Sequence, residues 1–338
     1  MAILFAGAEL DAFETTGTVG LSTANAAAYD SDTARGALRL EGSGSKITAR
    51  LPATFTGSEF WLHFRGYAPR PPTSQDNLMF TVYNENGDRI YDGNLTNAEL
   101  DIDKYQSVGD ATGTVMVDNA PGIAEDVLHT IDIQFVISTS AGEVNYYVDG
   151  VLQGTSSTTD TDDSAVGYPY NVGSVDFHSW DVTTGTNSTH VSEIIIADED
   201  TRGMRLVYLS PNGVGFNTGW TGDHTDVDES VLNDLDFIEA TGTGQNETFT
   251  FSDIAATFDG STVTAVTVSM RASVNGSPVG NLQAIARPGV TNNFSANLPG
   301  LSASLLPTQA IFATNPDTAS AWTISEVEAS EFGARSLA

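Results

Sequence analysis

Almost nowhere in this chain do apolar residues recur at the three- and four-residue spacing of a helix. The apolar runs are short, β-branched or aromatic, and turn residues break them. Val144-Asn-Tyr-Tyr-Val148 followed by Asp149-Gly150 and Val151-Leu152 is the clearest case. An Asp-Gly pair between alternating strands predicts a hairpin with a type I′ turn, which needs positive φ at both central residues. The same reading predicts strands at Ala2–Ala6, Ala37–Leu40, Lys46–Arg50, Glu59–Arg65, Asn77–Tyr83 and Arg89–Asp92. It continues through Ala98–Asp101, Thr114–Val117, Thr130–Ile137, Glu143–Val148, Ser174–Phe177 and Ser192–Ala197. Asn86-Gly87, and Gly42 with Gly44, are expected to be turns between them. Many short strands joined this way make an antiparallel sandwich.

The 338 residues have room for two β units. The acidic run Asp198-Glu-Asp-Thr-Arg-Gly203 ends the first series, giving an expected first domain of residues 1–203. Met204–Leu209 is predicted as one more strand. Residues 204–221 as a whole, Gly- and Asn-rich from Pro211 on, are taken as a linker. A smaller β-sandwich is expected over 222–338, with strands at Phe237–Ala240, Glu247–Phe251, Val263–Ser273, Gly280–Arg287, Phe294–Leu298 and Gln309–Thr314. One short helix is predicted at Thr323–Ser330. There Thr323-Ile-Ser-Glu326 fits a capping box, Gly333 would stop the helix, and Ala334–Leu337 would return as an edge strand.

Charge narrows the partners. Asp and Glu number 44 against 13 Lys and Arg, a formal net charge of −31. Such a surface repels phosphate, which argues against nucleic acid and against anionic membranes. No cysteine is present, so disulfides, thiolate metal sites and cysteine nucleophiles are excluded. No apolar run reaches the roughly 20 residues that span a bilayer as a helix. Met1-Ala-Ile-Leu-Phe-Ala-Gly7 lacks a basic n-region and meets Glu9 and Asp11 at once, so it reads as a first strand rather than a signal peptide. Synthesis in a host cytoplasm without a cleaved signal is the expectation.

Two sets of residues resemble known families. His129-Thr-Ile-Asp-Ile-Gln-Phe135 with Asn145-Tyr-Tyr-Val-Asp-Gly-Val-Leu152 resembles the paired back strands of concanavalin A-like (laminin-G-like) jelly-roll domains. Ile3-Leu-Phe-Ala-Gly-Ala-Glu-Leu-Asp-Ala-Phe13 and Ser192-Glu-Ile-Ile-Ile-Ala-Asp-Glu-Asp-Thr-Arg-Gly-Met-Arg205 resemble minor structural proteins of tailed bacteriophages. So does the later stretch with Trp220, Asp226-Val-Asp-Glu229, Asp234-Leu-Asp-Phe237, Thr248-Phe-Thr-Phe251 and Ala321-Trp322. The resemblance implies an all-β protein: a concanavalin A-like jelly roll followed by a smaller β-sandwich with one C-terminal helix. It also implies a virion component that touches other virion proteins, forms a homo-oligomer and carries no catalytic signature.

Concanavalin A-like folds include retaining glucanases, which set alternating carboxylates on one strand about 5–5.5 Å apart. Asp198-Glu199-Asp200 is contiguous instead, and Asp226-Val-Asp228-Glu229 has the i, i+2 spacing in a loop context. Both read better as solvated acids than as a glycosidase pair. The five histidines form no zinc motif. His63 and His178 lie in aromatic strand contexts that favour packing or interstrand hydrogen bonds.

Two candidate sites follow. Asp160, Asp162 and Asp163 bring three carboxylates to one hydroxyl-rich loop, a donor set suited to Ca²⁺, but the segment lacks the Asp-x-Asp-x-Asp-Gly spacing of an EF-hand and reads first as unoccupied surface acid. Nothing in the sequence requires a cofactor. Tyr168, Tyr170, Asn171 and Trp180 offer rings and polar groups for a sugar, or they are core edges. The functional readings are therefore a non-enzymatic virion appendage or decorating subunit, a lectin-like binder of host-surface glycan (compatible with the first), and a polysaccharide-degrading glycosidase.

Overall fold

In the computed structural model, residues 2–24, 26–67, 77–96, 99–105, 113–121, 124, 126–156, 158–162, 170–179, 188–229, 232–274, 279–298 and 301–338 are described. The chain divides into two compact units, Met1–Leu206 and Val207–Ala338. The division falls close to the expected end of the first domain.

The first unit is built from β1 (Ile3–Gly7), β2 (Glu14–Ser22), β3 (Ala37–Phe55), β4 (Glu59–Tyr67), β5 (Asn77–Asn84) and β6 (Arg89–Thr96). It continues with β7 (Glu99–Lys104), β8 (Thr114–Pro121), β9 (Leu128–Val136), β10 (Glu143–Val148), β11 (Val151–Thr155), β12 (Val172–His178) and β13 (Thr189–Ala197). These pair in the order β11-β10-β9-β4-β13-β3-β12-β5-β6-β7-β8, with β1 added to β13 and β2 to β3, all antiparallel. The sheet curls until its ends meet: a Cβ on Gly154 of β11 would come within 2.7 Å of Val117 of β8. This is the jelly-roll sandwich that the alternation predicts.

Alternation fills the core. Phe60, Leu62 and Phe64 of β4 point inward while Trp61, His63 and Arg65 point to the other face. Phe60 stacks on Phe135 of β9 at 4.6 Å, and Tyr91 of β6 reaches the same ring at 4.7 Å. Burying each such ring contributes about 1.5–3 kcal/mol. Asp149 (φ 50°) and Gly150 (φ 78°) form the expected type I′ turn. The Gly42/Gly44 segment is not a turn between two strands. It is a bulge inside the continuous β3, where β2 steps from Thr16↔Lys46 to Thr18↔Glu41. Ser45 plugs the bulge, accepting from Thr18 N and donating to Glu41 O.

Met204–Leu209 forms no strand. Met204 N donates to Thr201 O and Leu206 N to Glu193 Oε2, and Arg205 grips the same Glu193, a buried β13 residue at φ 50° in a bulge. Arg65 and Thr33 close on the same carboxylate at 3.1 and 2.8 Å.

The second unit holds β14 (Pro211–Thr218), β15 (Asn246–Phe251), β16 (Val266–Ala272), β17 (Asn281–Arg287), β18 (Asn293–Phe294), β19 (Leu306–Phe312), α1 (Ile324–Glu328) and β20 (Glu331–Leu337). A five-stranded sheet, β14-β15-β20-β17-β18, packs on the pair β16-β19 around Val268, Leu282, Ala284, Trp322 and Phe332. The expected linker is thus corrected, because Pro211–Thr218 is the first strand of this unit. Its glycines suit close approach, since a Cβ on Gly215 would sit 2.4 Å from Thr248 O.

The Thr323/Glu326 capping box is formed as predicted. Gly333, however, does not stop the helix, which ends at Glu328. It lies in β20, which is central rather than an edge strand, and a Cβ there would meet Glu247 O. No described helix is long and apolar enough to cross a membrane.

Candidate functional site

The strands β3, β12, β5, β6 and β7 bury one face in the core and turn the other away from it. On that second face the register sets Thr48, Asp176, Thr81, Asp92 and Asp103 opposite one another across five strands. Neighbouring strands lie about 4.8 Å apart, so the row runs for about 19 Å. A parallel row carries Ser174, Tyr83 and Arg89, with Arg50 at one end. The middle of this face is buried: Asp176 is 2 % exposed, Thr81 0 % and Asp92 1 %. Arg50 at its margin is exposed.

Each group in the row has a definite state. Asp176 accepts from Lys46 Nζ and Thr48 Oγ1, both at 2.5 Å. Burial alone would lower the Lys46 ammonium, but the hydrogen bond and charge of Asp176 outweigh it and hold its pKa above the ordinary value. His178 lies 3.1 Å from Thr81 Oγ1 through Nε2. Burial lowers its pKa to about 4 and Lys46 adds to this, so the imidazole is neutral at pH 7. Burial raises Tyr83, and the Asp176 charge adds to the effect.

Burial likewise pushes the Asp92 carboxyl up, against the pull of Arg89 and of hydrogen bonds from its neighbours. Arg89 Nη1 donates to Asp92 Oδ2 at 2.9 Å, and its guanidinium lies 3.6 Å over the Tyr105 ring. Asp92 Oδ1 is buried with no hydrogen-bond partner. A buried acceptor left open costs about 1–3 kcal/mol unless something donates to it. What the face leaves partly exposed is the Tyr83 ring, the Thr48 hydroxyl and the neutral His178 imidazole.

The residues expected from sequence fare differently. Tyr168, Trp180 and Asp163 lie outside the described residues. Tyr170 is corrected: it is 5 % exposed, edge-on to Tyr91 at 5.6 Å, and donates to Tyr105 O at 2.6 Å. A ring enclosed in that way presents no face to a sugar, yet it supports Tyr105 from the core side. Asn171 is half-buried, and its carbonyl accepts from Glu85 N.

Asp160 faces the buried Lys104 ammonium at 3.4 Å. Asp162 is half-buried beside it, its amide donating to Asp160 Oδ1 at 3.4 Å. Among the described residues no group of three or more acids or histidines is arranged to hold a metal.

The other acids considered for catalysis are engaged locally. Asp198 accepts from Ala2 N, Asp200 pairs with Arg202, and Asp226 closes a capping box with Asp223. His63 makes the expected interstrand bond, 2.8 Å from Asp132, which Thr201 also contacts at 2.7 Å.

Sequence reasoning missed Lys46, Tyr83, Arg89, Asp92 and Asp176 as a group. A local signal was present: Asp92 follows Ile90-Tyr91, Asp176 sits between Val175 and Phe177, and Thr81 between Phe80 and Val82. A polar residue between two core residues of a strand must face away from the core.

No family model matches the chain, and no curated protein matches it. Solved structures give distant likenesses. The cellulose induced protein Cip1 is 12 % identical, with 57 % of this chain and 94 % of that one covered at a TM-score of 0.38. Alginate lyase A1-II′, of polysaccharide lyase family 7, is 12 % identical over 49 % and 81 % of the two chains, at 0.35. The receptor binding domain of botulinum neurotoxin type G is 11 % identical over 86 % and 91 %, also at 0.35. At these TM-scores none of the three carries an argument about this chain.

Proposed function

We propose that the protein is a displayed, non-catalytic component of a tailed-phage particle whose jelly-roll unit holds a neutral saccharide on the face of β3, β12, β5 and β6. The observation that carries the binding half is the strip of half-buried Thr48, Tyr83 and His178, set across successive strands around the buried Asp176, Thr81 and Asp92. Saccharide recognition needs rings for CH faces and a few placed donors and acceptors. Tyr83 supplies a half-buried ring beside the row, while half-buried Thr48 and neutral His178 supply the polar groups.

Charge sets the class of sugar. The acids Glu14, Asp92, Asp103 and Asp176 outnumber the cations Lys46, Arg50 and Arg89, so carboxylated or sulfated glycans are repelled. The virion half rests on the sequence resemblance of residues 3–13, 192–205 and the C-terminal stretch.

Affinity electrophoresis in gels cast with neutral or uronate-bearing host-surface polysaccharide tests the binding. Retardation by the neutral polymer alone, lost in Tyr83→Ala, is the expected result. Indifference of the wild type to every neutral polymer of the host surface would sink the saccharide reading. Mass spectrometry of purified particles tests the other half, which fails if the chain is absent from them.

A further inference from the structure

The second unit exposes apolar residues on both outer surfaces of its sandwich, and the two surfaces differ in charge. On the five-stranded sheet, Phe216 is 72 % exposed, Val290 87 % and Phe294 39 %. Each phenylalanine is backed by an arginine: Arg287 lies 4.3 Å from the Phe216 ring and Arg335 4.5 Å from Phe294. Arg287 also reaches Glu331 at 3.2 Å, while the Nε of both arginines is buried without a hydrogen-bond partner. Register places Phe294 beside Ile285, and Arg287 opposite Glu331. All of these point away from the core formed by Phe332, Ala284 and Ala286.

On the opposite side, the segment after β14 carries Leu235 at 90 % exposure, Phe237 at 57 % and Leu232 at 38 %. Asp236 N bonds Asn233 O, which makes the tip a tight turn. Asp234 pins it to Arg271 of β16 through two bonds of 2.9 and 3.1 Å. Arg271 alternates with the core residues Val268, Met270 and Ala272, so the tip lies over the outer face of the β16-β19 pair.

This surface is acidic. No Lys or Arg occurs from Val207 to Met270, and Asp228, Glu229, Asp234 and Asp236 cluster around the turn. Burial and the charges of Asp236 and Asp228 raise the Glu229 pKa, a sign of uncompensated crowding. The tip is apolar and acidic; the face is apolar and, with Arg287 paired to Glu331, carries Arg335 as its uncompensated cation, so the two are complementary, but they lie on opposite sides of one sandwich and cannot meet within a unit.

We propose that the C-terminal units of two copies of this chain associate head to tail, the Leu235/Phe237 turn of one docking on the Phe216/Phe294 face of the next. The contact is heterologous, so one copy of a pair keeps a free face and the other a free turn, and association is open-ended unless rotation closes a ring. Both halves are held in place before contact, which limits the ordering cost.

Sedimentation of the full chain tests this. The wild type should grow in mass with concentration beyond a dimer, less so at high salt. Phe216→Ser, with the turn intact, and Leu235→Ser, with the face intact, should each weaken association by roughly tenfold or more. Mixed in equal amounts, the two variants should form a one-to-one dimer and stop, because only one competent pair of surfaces remains. A wild type that stays monomeric overturns the proposal. So does a wild type that stops at a symmetric dimer, or a mixture no larger than its components. Circular dichroism checks folding of each variant, with Phe294→Ser and Phe237→Ser as substitutes in the same scheme.

Discussion

The jelly roll has two polar outer faces, and they use the same device to opposite ends. On β11, β10, β9 and β4 a ladder runs Thr155→Asn145→Gln134→Glu59, with bonds of 2.8, 2.9 and 2.8 Å, and Trp61 Nε1 donates to the same Glu59 oxygen at 2.9 Å. Arg202 then covers it, 4.5 Å from the Tyr147 ring that stacks on Trp61. Every donor along that ladder finds the next acceptor. On β3, β12, β5 and β6 the row also crosses strands in register, but it is held by ion pairs, Lys46–Asp176 and Arg89–Asp92, rather than by amides. Each face also holds a buried carboxylate oxygen without a hydrogen-bond partner, Asp132 Oδ2 on the first and Asp92 Oδ1 on the second. The first face is closed over by Arg202; the second stays open at its margin, where Arg50 is exposed. Register alone does not separate the two; the groups in the row and what covers them do.

Substitutions should break this contrast or sharpen it. Asp132→Ala, at the fully buried His63–Asp132–Thr201 cluster of the closed face, should cost about 3 kcal/mol in urea unfolding, because it strands two buried partners. Asp92→Asn on the open face keeps an oxygen for Arg89 and should cost less than about 1 kcal/mol. Equal stability losses at the two positions would erase the distinction.

Next in size is a pH effect at His178. Its folded pKa, about 4, lies below the ordinary 6.5. Its contribution is therefore full above pH 6.5 and is lost as pH falls from 6.5 to 4. His178→Gln should flatten that part of the stability profile by roughly 1–2 kcal/mol. Glu9, pushed up to about 7 by burial, acts with the opposite sign, losing stability as pH rises from 4.5 to 7. For this reason the measurement is the difference between variant and wild type rather than the raw slope.

Tyr83→Ala should weaken saccharide binding about tenfold, roughly 1.4 kcal/mol, with little change in unfolding midpoint. Smallest is Arg202→Ala on the closed face, about 0.5–1 kcal/mol in stability with saccharide binding unchanged. A loss of binding there would show that the faces are not independent.

Local features were legible before any coordinates. The type I′ turn at Asp149-Gly150 and the Thr323/Glu326 capping box depend on residues two or three apart, and both formed. What escaped depends on pairing. Pro211–Thr218 contains two glycines and a proline and reads as a loop, yet its glycines are what let it lie close on β15. Lys46, Asp176 and Asp92 converge only through the order β3-β12-β5-β6, which no spacing in the sequence records. Tyr170 has the composition of a sugar platform, but pairing closed the core around it.

The grip of Arg205 on Glu193 decides where mechanical load enters the first unit. Traction on the chain past Leu206 passes through a guanidinium clamp into β13, the fifth of eleven strands in the sheet path. Neighbours on both sides of β13 share that pull, so it meets the resistance of the whole sheet instead of peeling away an outer strand.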